Sequence, residues 1–169
     1  ILYLLLTASY SHAQSIGGYI GGGIINANSP NIGSAAASLF VESQPLLKTN
    51  VSLRLSFFYL LDIDGVLPGS TNVYFPYLKG LSLKGVTSQE LPMGLYMEEA
   101  VGFVLINDRI FVDVNSTDFG MMLSVGAGID LRNGTHEGFR VGAGTDYAFT
   151  FTKTYAKYFS LYLQSQYYF

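Results

Sequence analysis

Apolar and polar residues alternate with a period of two along most of this chain, the signature of strands with two unlike faces rather than of helices. The cleanest run is 50–61, where Val51, Leu53, Leu55, Phe57, Tyr59 and Leu61 share one parity and Ser52, Arg54, Ser56 and Phe58 the other. Segments at 15–27, 35–43, 73–86, 93–106, 118–131 and 138–151 repeat the rule, and an eighth rises out of 153–157 and runs to Phe169. In the sixth, Phe119, Met121, Leu123, Val125, Ala127, Ile129 and Leu131 alternate with a set rich in glycine; in the eighth, Phe159, Leu161, Leu163, Tyr167 and Phe169 alternate with Ser160, Tyr162, Gln164, Gln166 and Tyr168. Pro76 has no amide hydrogen for a ladder, so it belongs at a strand end or an irregularity. Asn133-Gly134 carries the hairpin signal between segments six and seven.

Connections after segments one, three and five read as long, and those after two, four and six as short. That is the asymmetry of a meander barrel with long loops on one side and both termini on the other. An uncovered aromatic strand at a chain end would leave a free edge and an apolar face, which invites aggregation. Closure removes the edge, so segment eight is expected to pair with segment one. The predicted fold is therefore all-β: an eight-stranded antiparallel up-and-down transmembrane β-barrel.

Composition supports lipid as the outer solvent. Charged residues make up 12% of the chain, about half of the roughly 25% usual in soluble proteins. Aromatics reach 15%, all of them Phe and Tyr, and the 19 glycines cluster inside the alternating segments. A barrel of eight strands has little interior room, so inward glycines would make space for larger neighbours. A net charge of −3 argues for no nucleic-acid partner, and the absence of cysteine says only that no disulfide braces the fold. No segment has the roughly 20 apolar residues of a membrane-spanning helix. At the amino end, Ile1 to Ala8 is a short apolar run, followed by a small-x-small site at Ser11-His12-Ala13. This reads as a partial signal peptide over 1–13, with a barrel domain over 14–169.

The polar parity gathers charges on what would be the lumen face: Arg54, Asp130, Arg140 and Asp146, joined by Lys84 and by Glu98 or Glu99. Because Glu98 and Glu99 are adjacent, strict alternation would put one of them on lipid, so a β-bulge is expected there. Buried charges must be paired or hydrated. Two roles stay open for the set Arg54, Lys84, Glu98, Glu99, Asp130, Arg140 and Asp146: a salt-bridged plug, or a narrow polar path for ions.

Other chemistry finds little footing. The two histidines, His12 and His136, fall in the leader and in a turn, so no positioned base serves an acyl-transfer reaction. Asp62-x-Asp64-Gly65 opens like a calcium loop but has Val73 where the closing glutamate would stand. Val-Gly-Ala-Gly-x-Asp occurs twice, ending at Asp130 and Asp146, on two alternating strands where small inward residues explain it. Gly18 and Gly21 lack the Lys-Ser/Thr of a phosphate loop. No catalytic, metal or cofactor site is therefore expected. Mixed charge in 107–117, with the polar stretches 28–34 and 62–72, marks candidate external loops whose ligand the sequence does not name.

Gly17-Gly18-Tyr19-Ile20-Gly21-Gly22-Gly23, the leader ending at Ala13-Gln14 and the terminal Gln166-Tyr167-Tyr168-Phe169 together give a resemblance. The chain resembles the small eight-stranded outer-membrane barrels of Gram-negative bacteria over essentially 15–169. The resemblance implies an outer-membrane location with termini in the periplasm and contact with outer-membrane lipids, including lipopolysaccharide. It also implies recognition by periplasmic chaperones and the outer-membrane assembly machinery through Leu161, Leu163, Tyr167 and Phe169, with Ser165 the weak position of that pattern. The expected function, in the absence of a positioned base, is a non-enzymatic structural or surface-interaction role in the cell envelope. The alternatives are a narrow channel or, more remotely, a lipid A-modifying barrel enzyme or a soluble lipocalin-type carrier. The carrier would need apolar side chains inside, against the inward Arg54, Asp130, Arg140 and Asp146.

Overall fold

A computed structural model describes residues 13–27, 30–43, 50–65, 67, 74–113, 115–132 and 137–169. The strands are β1 (Ala13–Asn26), β2 (Ile32–Ser43), β3 (Val51–Asp62), β4 (Tyr77–Leu91), β5 (Leu95–Arg109), β6 (Ser116–Asp130), β7 (Gly138–Thr150) and β8 (Lys157–Tyr168). Each is antiparallel to its sequence neighbours, and β8 pairs with β1 from Ser15↔Tyr168 to Asn26↔Lys157, closing the barrel. We call the end where β1 begins and β8 finishes the near end, and the other the far end.

The closure is staggered. From Gly22, register partners lead through Ala35 to Leu61 on β3. In the other direction, through Leu161, Thr145, Val125, Glu99 and Thr87, they lead to Val51 on the same strand. The sheet thus closes ten residues out of step, from 51 to 61, which tilts the strands by about 40° at strand spacings near 4.8 Å.

Parity decides what each side chain meets. Ile20 and Leu39 are 70% exposed and Leu163 67%, while their strand neighbours Tyr19, Ser38 and Gln164 are buried. The exposed set, with Leu55, Phe57, Leu83, Phe103 and Leu123, forms an apolar outer wall, suited to hydrocarbon. Aromatic rings pack on that wall towards both rims. Tyr59 stacks on Tyr77, and Phe119 meets Phe151, towards the far end; Phe139, Tyr167 and Phe169 form a chain at the near end. These are the two girdles of a membrane barrel. No helix among the described residues is long and apolar enough to cross a membrane.

Several sequence expectations need correction. β4 starts after Pro76, at Tyr77, and continues to Leu91. The Pro76 carbonyl accepts the Asp62 amide at 2.8 Å, so the proline does sit at the strand's end, where its missing donor costs no ladder bond. No bulge occurs at Glu98 and Glu99: both pair in unbroken register with β4 and β6. The register shift lies instead between Ala13 and Ser15. The expected long connection at 107–117 shrinks to 110–115, because Asp108, Arg109 and Ser116 continue the ladder. Loop lengths consequently do not alternate, and the long connection is the one between β3 and β4. β1 begins at Ala13, the last residue read as leader; His12, His136 and Val73 lie outside the described residues.

Candidate functional site

Among the described residues, parity concentrates polar chemistry in the barrel interior, which is layered along the axis. At the near rim Arg140 donates from Nε to Asp130 (2.7 Å), from Nη1 to Ser88 (3.1 Å) and the Tyr168 hydroxyl (3.2 Å), and from Nη2 to Glu90 (3.1 Å). Asp130 and Arg140 are register partners on β6 and β7, so the pair is set by the ladder. Arg132 grips the same Asp130 at 2.6 Å, and those hydrogen bonds raise its guanidinium above the ordinary value. The Tyr168 ring lies 4.3 Å from the Arg132 and 5.0 Å from the Arg140 guanidinium carbon, within cation–π range. This layer walls a cavity of about 540 Å³ that also touches Glu42, Asn50 and Ser52.

Deeper in, β2, β3 and β4 set Glu42, Arg54 and Lys84 side by side as register partners. The two neighbouring cations reach opposite ways. Arg54 bonds Glu42 from Nε (2.8 Å), pairs with Glu98, and lies 4.3 Å from the Phe40 ring centre. Lys84 passes its own partner Gly102 to reach the Ser124 hydroxyl (3.0 Å) and Asp146 (3.6 Å) on β6 and β7. Three carboxylates thus face two cations, and neutral donors serve the rest. Ser52 donates to Glu42 (2.6 Å), Gln164 to Glu98 (2.8 Å), Gln166 to Glu42 (3.2 Å) and Tyr19 to Asp146 (2.7 Å). Paired and hydrogen-bonded in this way, buried charge becomes tolerable.

Glycines give the rings their room. A Cβ on Gly144 would lie 2.7 Å from the Tyr162 hydroxyl, and one on Gly17 would lie 2.4 Å from the Phe40 ring. Tyr162 in turn stacks on Tyr19 with centroids 4.2 Å apart, holding the donor of Asp146 in place.

Towards the far end the lumen turns apolar. Ile25, Phe58, Leu60, Leu78, Val104, Ile106, Met122, Ala148 and Tyr158 are all at most 1% exposed and fill the cross-section. Above them Asp118 accepts from the Thr152 hydroxyl (3.0 Å) and the Thr154 amide (3.2 Å), fixing the 151–156 connection. Two structures meet in one lumen: a hydrogen-bonded charged half and a largely apolar half.

Of the residues singled out from sequence, Arg54, Lys84, Glu98, Asp130, Arg140 and Asp146 all face inward. They fall into two groups, with Asp130 and Arg140 at the near rim and the other four deeper. Glu99 does not join them. With no bulge to turn it, its side chain points outward and is exposed. Glu42 was missed, although the parity Ser34, Ala36, Ser38, Phe40 announces it. So were Tyr19 and the rim pair Glu90 and Arg132. Leu161, Leu163 and Phe169 lie exposed on the outer wall, with Tyr167 half-buried beside them.

No protein-family model and no curated protein matches the sequence. Among solved structures the chain is similar to neisserial surface protein A, with 7% identity and a TM-score of 0.74 over 93% of this chain and 97% of that one. Weaker likenesses, both with a TM-score of 0.48, are to the N-terminal β-barrel domain of Pseudomonas aeruginosa OprF (19% identity, 92% of this chain and 98% of that one) and to the attachment invasion locus protein Ail of Yersinia pestis (11%, 92% and 99%). At such identity the likeness speaks for architecture: this chain has the fold of the small eight-stranded outer-membrane β-barrels, as neisserial surface protein A does.

Proposed function

We propose that this chain is a non-enzymatic protein of a Gram-negative outer membrane, exported through a cleaved leader, with its near end in the periplasm, its lumen shut and its external contacts made by far-end loops. One observation carries the reading: an apolar outer wall surrounds a lumen whose far half contains a buried apolar layer. A lipocalin-type carrier needs the opposite arrangement, a wettable wall around an apolar cavity. An ion path needs continuous hydrated polar surface, and the layer of Phe58, Leu60, Leu78, Ile106 and Tyr158 interrupts it. The charge network then acts as a plug that specifies packing. Its carboxylates and cations are bonded to one another and to neutral donors rather than presented to a substrate, which supports a non-enzymatic role.

Outer-membrane lipids, including lipopolysaccharide, are the partners of the apolar wall. Leu161, Leu163, Tyr167 and Phe169 form the face of the last strand that the assembly machinery would read. Beyond the far girdle, Phe111 and Val112 expose apolar surface in the 110–115 connection, a contact face for a partner outside the cell. Two measurements test the proposal. Carbonate-washed outer membranes should retain the protein, and its recovery in soluble periplasm without detergent would refute the membrane role. In planar bilayers the purified barrel should leave conductance at the lipid baseline, whereas steady openings would overturn the shut lumen.

A further inference from the structure

Of the charges that the sequence gathers for the lumen, Glu99 is the one that faces outward. On β5 it follows Leu95 and Met97 and precedes Val101, Phe103 and Leu105 on the outward parity; Leu95, Val101, Phe103 and Leu105 are exposed hydrophobics, as is its β6 partner Val125. The carboxylate therefore stands inside the apolar band, about 13 Å along the strand from Leu95 at some 3.3 Å per residue. Among the described residues it has no hydrogen-bond or ion-pair partner. Ionisable groups facing hydrocarbon are costly and mark functional contacts when they occur.

Its surroundings point to what covers it. The register partner of Glu99 across the ladder is Thr87, whose side chain shares the outward parity. A hydroxyl donor and a carboxylate acceptor thus sit side by side on one wall. Next to them Gly85 leaves a gap: a Cβ built there would meet nothing nearer than 3.6 Å. Two copies inserted in one membrane share their orientation, so a twofold axis along the membrane normal exchanges left and right on facing walls. Such an axis between β4 and β5 sets Thr87 of each copy opposite Glu99 of the other, the reciprocal pattern of an isologous contact. Both acceptors gain a donor, and the Gly85 gap lets the walls approach, as small residues do in membrane interfaces.

We propose that the β4–β5 wall around Gly85, Thr87 and Glu99 is an intramembrane contact with a second copy of this chain. The proposal rests on the membrane-spanning reading, so insertion is scored separately, by resistance of the reconstituted barrel to carbonate extraction. The chain has no cysteine, so single cysteines report proximity cleanly. Gly85→Cys leaves both polar groups intact, and Leu163→Cys on the β8 wall serves as the collision control. In phosphatidylcholine vesicles containing only this protein, a short bismaleimide should give several-fold more dimer from Gly85→Cys than from Leu163→Cys. Adding Glu99→Leu to Gly85→Cys should return the yield to the control level while folded, carbonate-resistant protein is unchanged. Equal yields from the two walls would overturn the proposal, as would a Gly85→Cys yield indifferent to Glu99→Leu. Failure of carbonate resistance would instead strike the membrane reading itself.

Discussion

Removing the Arg54 side chain is the sharpest test of the lumen. Its guanidinium is the shared cation of Glu42 and Glu98, with Arg54 only 4% exposed and both carboxylates comparably buried. Arg54→Ala leaves two acids facing each other, served only by Ser52, Gln164 and Gln166, and strips the packing over Phe40. Breaking a buried pair by deleting one partner costs about 3–5 kcal/mol, roughly a hundred- to several-thousand-fold in the unfolding equilibrium at 1.4 kcal/mol per decade. The chain has no tryptophan, so the equilibrium is best followed by far-UV circular dichroism and by the gel mobility of unboiled samples, against urea in lipid vesicles. Adding Glu42→Gln and Glu98→Gln should recover part of the loss, since the residual cost is that of stranded charge. A loss below about 1 kcal/mol, the range of exposed pairs, would refute the claim that Arg54 holds the plug. So would a triple variant no more stable than Arg54→Ala.

The rim and the glycines behave differently. Glu90 is 74% exposed at its side chain although it touches both Arg132 and Arg140, so Glu90→Ala should cost no more than about 1 kcal/mol in the same assay. Gly144→Val drives a side chain into the Tyr162 ring and should cost about 1–3 kcal/mol by overpacking; restoring stability with Tyr162→Ala in the same chain would identify the collision as the cause. Phe169→Ala should slow assembly in cells, while unassisted folding into vesicles loses at most the lipid and Tyr167 contact of one ring, up to about 1.5–3 kcal/mol. A defect of equal size in both settings would assign Phe169 to stability instead.

Parity made most of this legible in advance. Val51 to Leu61 on one face and Ser52 to Phe58 on the other are arranged as the alternation requires, since a ladder cannot turn one side chain without turning all of them. The same rule explains the error at Glu99. The bulge was expected because lipid should exclude a carboxylate, but β5 is paired without interruption to β4 and β6. One exposed acid does not outweigh two continuous ladders. The connection expected at 107–117 is shorter than its polarity suggests, because residues such as Asp108 and Ser116 signal water, not the end of pairing. Partners within the network were beyond reach for a geometric reason. Arg54 and Glu98 lie on β3 and β5, which are not neighbours, and they meet only through the ten-residue stagger of the closed sheet.

A barrel that faces lipid and is shut inside makes one demand on two adjacent positions of β8. Leu163 is two-thirds exposed on the wall, and Gln164 is buried in the lumen against Glu98 and Tyr96. Single cysteines at these positions, in intact membranes, should both resist a membrane-impermeant maleimide, and a fluorophore placed at 163 should be quenched by lipid-borne quenchers alone. Labelling of Leu163→Cys at the rate of the urea-unfolded chain would contradict a lipid-facing wall, and the same result for Gln164→Cys would contradict a closed lumen.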